Sequence, residues 1–73
     1  MILETWFKLE ENGKTVRQNI VEDNIREFSV KNNIVEGITI GDERTTVTHD
    51  LKQPELYAMY LMNDEGKTLK KLK

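Results

Sequence analysis

The chain has 73 residues, 37% hydrophobic and 33% charged, with a formal net charge of −2 and no cysteine. Such a length implies one domain over 1–73 with a thin core, since domains of ~60 residues bury only about 60% of the surface of the unfolded chain. The lack of cysteine excludes disulfides and the single histidine argues against a structural zinc, which leaves oligomerisation as the expected support for so small a core.

The charge is unevenly placed. All 13 acidic residues precede Lys67, whereas Lys67, Lys70, Lys71 and Lys73 supply four of the 11 basic ones. The chain therefore reads as an acidic body with a basic end over 67–73, free to fray. The longest apolar run, Leu56 to Met62, is far short of the ~20 residues of a spanning helix. No basic segment precedes an apolar stretch near Met1. A cytoplasmic protein with no membrane partner is the expectation.

Residues 2–10 alternate. Leu3, Thr5, Phe7 and Leu9 share one face of a strand, and Glu4, Trp6, Lys8 and Glu10 share the other. Asn12-Gly13 suits a two-residue type I′ turn. That turn pairs Leu9 with Val16, Phe7 with Gln18 and Thr5 with Ile20, which keeps apolar groups together.

Residues 23–31 admit two readings. Asp23 can cap a short helix that shows Ile25 and Phe28 on one side. Alternatively Phe28 and Val30 lie on a strand that turns at Asn32-Asn33, and the balance favours this strand. Residues 34–51 read as a second hairpin around Gly41-Asp42-Glu43-Arg44. A four-residue loop there pairs Ile40 with Thr45, Ile38 with Val47, Glu36 with His49 and Ile34 with Leu51.

Over 54–63 two rules conflict. Pro54 and Glu55 ahead of Leu, Ala and Met favour a helix, whereas Asn63-Asp64-Glu65-Gly66 followed by Lys67-Thr68-Leu69 favours a hairpin. Either way the segment is apolar all round and must be covered on more than one side. Residues 7–18 (FKLEENGKTVRQ) also align without gaps on residues 60–71 (YLMNDEGKTLKK). Acidic-Gly-Lys turn chemistry used twice accounts for this more simply than a duplication, and it supports a terminal hairpin. The fold expected is mainly β: a small antiparallel sheet of consecutive hairpins, with short helices over 23–31 and/or 54–63 as the α+β alternative.

No catalytic pattern emerges. Ser29 and His49 are single residues without a surrounding motif, and a triad needs three groups within hydrogen-bond reach. Glu36 facing His49 is at most a cross-strand charge pair. The acidic pairs Glu10-Glu11, Glu22-Asp23, Asp42-Glu43 and Asp64-Glu65 fall at turns or strand ends, where charge guards against edge pairing. Gly13-Lys14-Thr15 and Gly66-Lys67-Thr68 lack the upstream glycine of a phosphate-binding loop. No cofactor and no metal are expected.

What remains is binding. Trp6 lies opposite the core face of its strand, and Tyr57, Tyr60 and Met62 add apolar area, so these four are the candidate protein interface. The expected function is a non-enzymatic, self-associating interaction domain, a dimer or the partner of another protein. The alternative is a nucleic-acid-binding accessory protein that uses Lys67, Lys70, Lys71 and Lys73. A small inhibitor of a partner protein is the third reading.

Overall fold

In a computed structural model, residues 1–41 and 43–73 are described, together with the side chains of all of these except Ile40. Asp42, part of the expected Asp42-Glu43 pair and of the second hairpin loop, lies outside the described residues.

Seven strands account for the architecture of the described residues. They are β1 (Ile2–Glu11), β2 (Lys14–Glu22), β3 (Ile25–Lys31), β4 (Ile34–Ile40), β5 (Arg44–Asp50), β6 (Leu56–Met62) and β7 (Thr68–Lys71). They form two antiparallel sheets, one ordered β2-β1-β6-β7 and the other β3-β4-β5. No helix occurs among the described residues, and the segments 23–31 and 54–63 hold the strands β3 and β6 in place of the helices weighed for them. No helix is therefore long and apolar enough to cross a membrane.

The first hairpin adopts the register that Asn12-Gly13 implies. Both turn residues have positive φ, 52° and 75°, as a type I′ turn requires. Leu9 faces Val16, Phe7 faces Gln18 and Thr5 faces Ile20. Asn32 and Asn33, with φ of 52° and 63°, make the same kind of turn between Lys31 and Ile34.

The second hairpin is shifted by one residue. Ile40 faces Arg44, Ile38 faces Thr46, Glu36 faces Thr48 and Ile34 faces Asp50. The connection is thus one residue shorter than the four-residue loop expected from sequence. Because side chains alternate, this shift changes which residues of β5 share a face with which residues of β4. Val47 and His49 join Val35 and Gly37 on the inner face, and Ile34 and Ile38 take the outer one.

Pro54 opens a turn in place of a helix. The Leu56 N–H donates to the Gln53 carbonyl at 3.1 Å, which puts Pro54 at the second position of a four-residue turn, where its fixed φ is favoured. The β6 strand that follows runs between β1 and β7 and is central to its sheet. This position explains its two-sided apolar character. Leu56, Met59 and Leu61 are buried on the inner side, and Ala58 is buried on the outer one.

The core lies between the sheets. Leu3, Leu56, Met59 and Leu61 meet Ile25 and Val35, with Phe7, Phe28, Val47, Leu51 and Leu72 packed around them. Backbone bonds also cross: the Ile25 N–H donates to the Met1 carbonyl at 2.9 Å, and the Met1 amine to the Ile25 carbonyl at 2.8 Å. The basic end is tied in as well. Leu72 N–H donates to Met59 O at 2.8 Å, and Lys73 Nζ donates to the carbonyls of Leu51 and Gln53.

One polar atom in this core is unmatched. Thr5 is fully buried, and its Oγ1 has no hydrogen-bond partner among the described residues. An unsatisfied buried hydroxyl costs about 1–3 kcal/mol. Thr5→Val keeps the branched shape and the strand preference while removing that hydroxyl. We expect it to raise stability by about 1–2 kcal/mol, seen as a higher urea midpoint at unchanged slope.

Candidate functional site: the outer face of the four-stranded sheet

Strand alternation fixes the composition of this face. Trp6 stands opposite Asn19 on one side and Ala58 on the other; Glu4 stands opposite Val21 and Tyr60; Ile2 stands opposite Met62. Arg17 and Lys8 face each other on the same surface, and Lys71 faces Tyr60 across β6 and β7.

A bulge shapes its centre. The β1–β6 register shifts between Trp6, paired with Ala58, and Phe7, paired with Leu56, so Tyr57 is an extra residue in β6. A bulge breaks the alternation of side chains. Here it lets the consecutive Tyr57 and Ala58 line one open depression with Trp6, Arg17 and Tyr60. The depression has a volume of about 290 Å³. Ala58 is nearly buried and forms its floor, whereas Tyr57 is 40% exposed.

Two polar contacts hold its walls. The Trp6 indole N–H donates to Glu4 Oε1 at 3.1 Å, which orients the ring. The Arg17 guanidinium carbon lies 6.0 Å from the Tyr57 ring centre, at the reach of a cation–π contact. Three of the four aromatic and apolar residues singled out from sequence, Trp6, Tyr57 and Tyr60, thus converge. Met62 lies further along the same face, against Ile2. Arg17 and Ala58 were not foreseen. Their signal was the Asn12-Gly13 register, which places Arg17 on the face of Trp6, but Ala58 depends on the bulge.

The four C-terminal lysines do not converge. Lys70 faces Leu61 and Lys71 faces Tyr60, so consecutive positions of β7 lie on opposite sides. The Lys67 N–H donates to Asn63 Oδ1 at 2.9 Å in the turn before β7, and the Lys73 ammonium is engaged by carbonyls.

Glu36 and His49 are not brought together, because the shorter loop sets Glu36 opposite Thr48 and Ser29. His49 instead turns inward and its Nε2 meets Glu22 Oε1 at 2.7 Å, bridging the two sheets. Its ring packs 6.3 Å from that of Phe7. Both partners are largely buried, at 13% and 21% side-chain exposure, so the contact is a structural tie between β2 and β5. Ser29 pairs with Glu36 on the outer face, away from His49. Among the described residues, no three His, Asp or Glu side chains gather as metal ligands.

No family model, curated protein or solved structure matches this chain.

Proposed function

We propose that the chain is a non-enzymatic interaction domain that binds another protein through the depression bounded by Trp6, Tyr57 and Tyr60. The observation that supports this reading is the bulge at Tyr57, which gathers aromatic side chains from two strands around an apolar floor on an outer sheet face. Trp, Tyr and Arg dominate the energetics of protein contacts, and a few such residues carry most of the affinity. The chemistry of the rim suggests the partner. Arg17, Lys8 and Lys71 lie around the aromatics, and the Glu4 carboxylate on the same face is held by the Trp6 indole. A partner that inserts an apolar side chain and flanks it with carboxylates complements this surface. The absence of cysteine accords with a reducing, cytoplasmic setting.

Quantitative affinity capture from the native cell, with wild-type, Trp6→Ala and Arg17→Glu baits, tests the proposal. The expected result is a protein retained by the wild type and lost from both variants, with Trp6→Ala weakening binding by about 2 kcal/mol, or roughly 30-fold. Equal retention by all three baits would refute it.

A second reading has an observation of its own: Lys71 sits beside Tyr60, on the face that carries Trp6. Aromatics bordered by cations can stack single-stranded bases. Titration of labelled single-stranded DNA and RNA at low and moderate salt separates the readings, because phosphate contacts make binding strongly salt-sensitive. Lys71→Ala is a better probe than removal of 67–73, since Leu72 packs on the core.

A further inference from the structure

One of the two edges of the four-stranded sheet carries a second feature. The β2 strand is an edge strand of nine residues, paired to β1 without a bulge and containing no proline. Lys14 through Asn19 are all exposed. Long, regular edges of this kind are templates for a further strand unless something blocks them. By contrast the β7 edge has four residues, the β3 edge is broken by a register shift, and the regular β5 edge is shorter, with seven residues.

We infer that β2 pairs antiparallel with β2 of a second copy, about a two-fold axis through Gln18, to make one continuous eight-stranded sheet. The argument begins with backbone direction. A type I′ turn closes on a hydrogen-bonded pair, here Glu11 and Lys14. Alternation then points the amides and carbonyls of Thr15, Arg17, Asn19 and Val21 toward the free edge. An antiparallel partner must match these positions with its own, which restricts the axis to a residue of β2.

Side chains select among the allowed axes. With the axis at Gln18, Lys14 faces Glu22 of the second copy, Thr15 faces Val21, Val16 faces Ile20 and Arg17 faces Asn19. At both ends Lys14 meets Glu22, one carboxylate oxygen of which is already held by His49 of its own chain, and the apolar residues Val16 and Ile20 meet on the inner face. The outer-face pair covers part of Val21, which is 55% exposed in the single chain. Shifting the axis to Arg17 sets Lys14 against Ile20, and shifting it to Asn19 sets Val16 against Glu22. Only the Gln18 axis makes the strand self-complementary in charge and polarity. Each outward pair exchanges both backbone bonds, and the two-fold axis supplies every pair twice.

This interface shares Arg17 with the aromatic depression but involves none of Trp6, Tyr57 and Tyr60. It nevertheless places two copies of that depression on one face of a continuous sheet. With neighbouring strands about 4.8 Å apart, the two β1 strands would lie roughly 14 Å from each other. A bivalent partner could engage both at once.

The register predicts a specific cross-link. Gln18 would face its own copy as a non-hydrogen-bonded pair, with Cα atoms about 4.5 Å apart, within disulfide reach. Residues one step either side would be roughly 8 Å from their own copies, beyond it. The chain has no cysteine, so the background is empty. Gln18→Cys, Arg17→Cys and Asn19→Cys are to be oxidised mildly in folded protein and scored on non-reducing gels, alongside sedimentation equilibrium of the wild type, Asn19→Pro and Trp6→Ala. The expected result is a reversible dimer of the 8.6 kDa chain and Gln18→Cys cross-linking at least about tenfold faster than its neighbours. Asn19→Pro, which removes an amide facing the edge, should weaken the dimer about tenfold or more, and Trp6→Ala should leave it intact. A single 8.6 kDa species at every concentration, or cross-linking no faster at 18 than at 17 and 19, would overturn the inference. If Asn19→Pro does not fold, the cysteine series decides the matter alone. Loss of partner capture by Trp6→Ala with the dimer preserved separates this interface from the proposed binding face.

Discussion

Leu3→Ala is expected to lower stability by about 2–5 kcal/mol, the range for truncating a buried leucine. The side chain is fully buried, sits between Glu22 of β2 and Leu61 of β6, and belongs to the cluster that joins both sheets. Collapse around the gap is hindered on the sheet side, because β1 is hydrogen-bonded on both flanks and cannot shift without breaking two ladders. The consequence is amplified by size. At roughly 0.05–0.15 kcal/mol per residue, a chain of this length has a total stability of about 4–11 kcal/mol, so one methyl cluster can remove half of it. Urea unfolding followed by Trp6 fluorescence and circular dichroism gives the number. A loss below 1 kcal/mol would mean that Leu3 is not part of a tightly packed core. Val30→Ala is the matched control: Val30 is 41% exposed, and substitutions at such surface positions usually stay within about ±0.5 kcal/mol.

How far this architecture was legible depends on how local each determinant was. The first hairpin was readable to the residue, because Asn12-Gly13 is a turn whose backbone demands are met by few dipeptides and the flanking alternation is regular. The internal similarity of 7–18 and 60–71 also reached the fold: Phe7 faces Gln18 and Tyr60 faces Lys71, the aligned positions. Yet Phe7 turns inward and Tyr60 outward, and the second ladder shifts so that Met62 meets Thr68 in place of Leu69. The repeat is one of turn chemistry, not of packing. The β4–β5 register was not legible. Ile34, Val35 and Ile38 put apolar residues on both faces of β4, so alternation could not choose a loop length. Segment 54–62 has the composition of a helix, and its place between two strands overrode that propensity.

The same division runs through the site. That Trp6 lies outside follows from β1 alternation alone. That Tyr57 and Ala58 join it on one surface follows from a bulge, which arises from how β6 fits beside β1 and leaves no mark on local composition. His49 was legible as a charge-pair candidate but not as Glu22's partner, since 27 residues separate them and the contact requires the sheets to be stacked.

Gly37→Val is expected to cost about 1–3 kcal/mol by overpacking, although valine is the better strand former. Gly37 lies on the inner face of β4 between Phe28 and Val47, and its φ is outside the left-handed region, so space decides the outcome. A Cβ there would stand 3.2 Å from Ile25 Cδ1 and 3.5 Å from its Cγ2. Ile25 is 1% exposed and enclosed by the core, so it has little room to rotate away. Against this, replacing glycine in a strand gains up to ~1 kcal/mol from propensity and from the lost freedom of the unfolded chain. The steric cost exceeds that gain because valine adds two methyls beyond the Cβ that is already too close. The cause can be isolated by a double-mutant cycle in urea. Ile25→Ala should cost about 2–5 kcal/mol alone, and distinctly less when Gly37→Val is present, because the new side chain fills the vacated space. A coupling of about 0.5–3 kcal/mol is the expected sign of direct contact. Strict additivity would place the cost of Gly37→Val elsewhere, against Phe28 or Val47, and would show that Ile25 is not what holds this position to glycine.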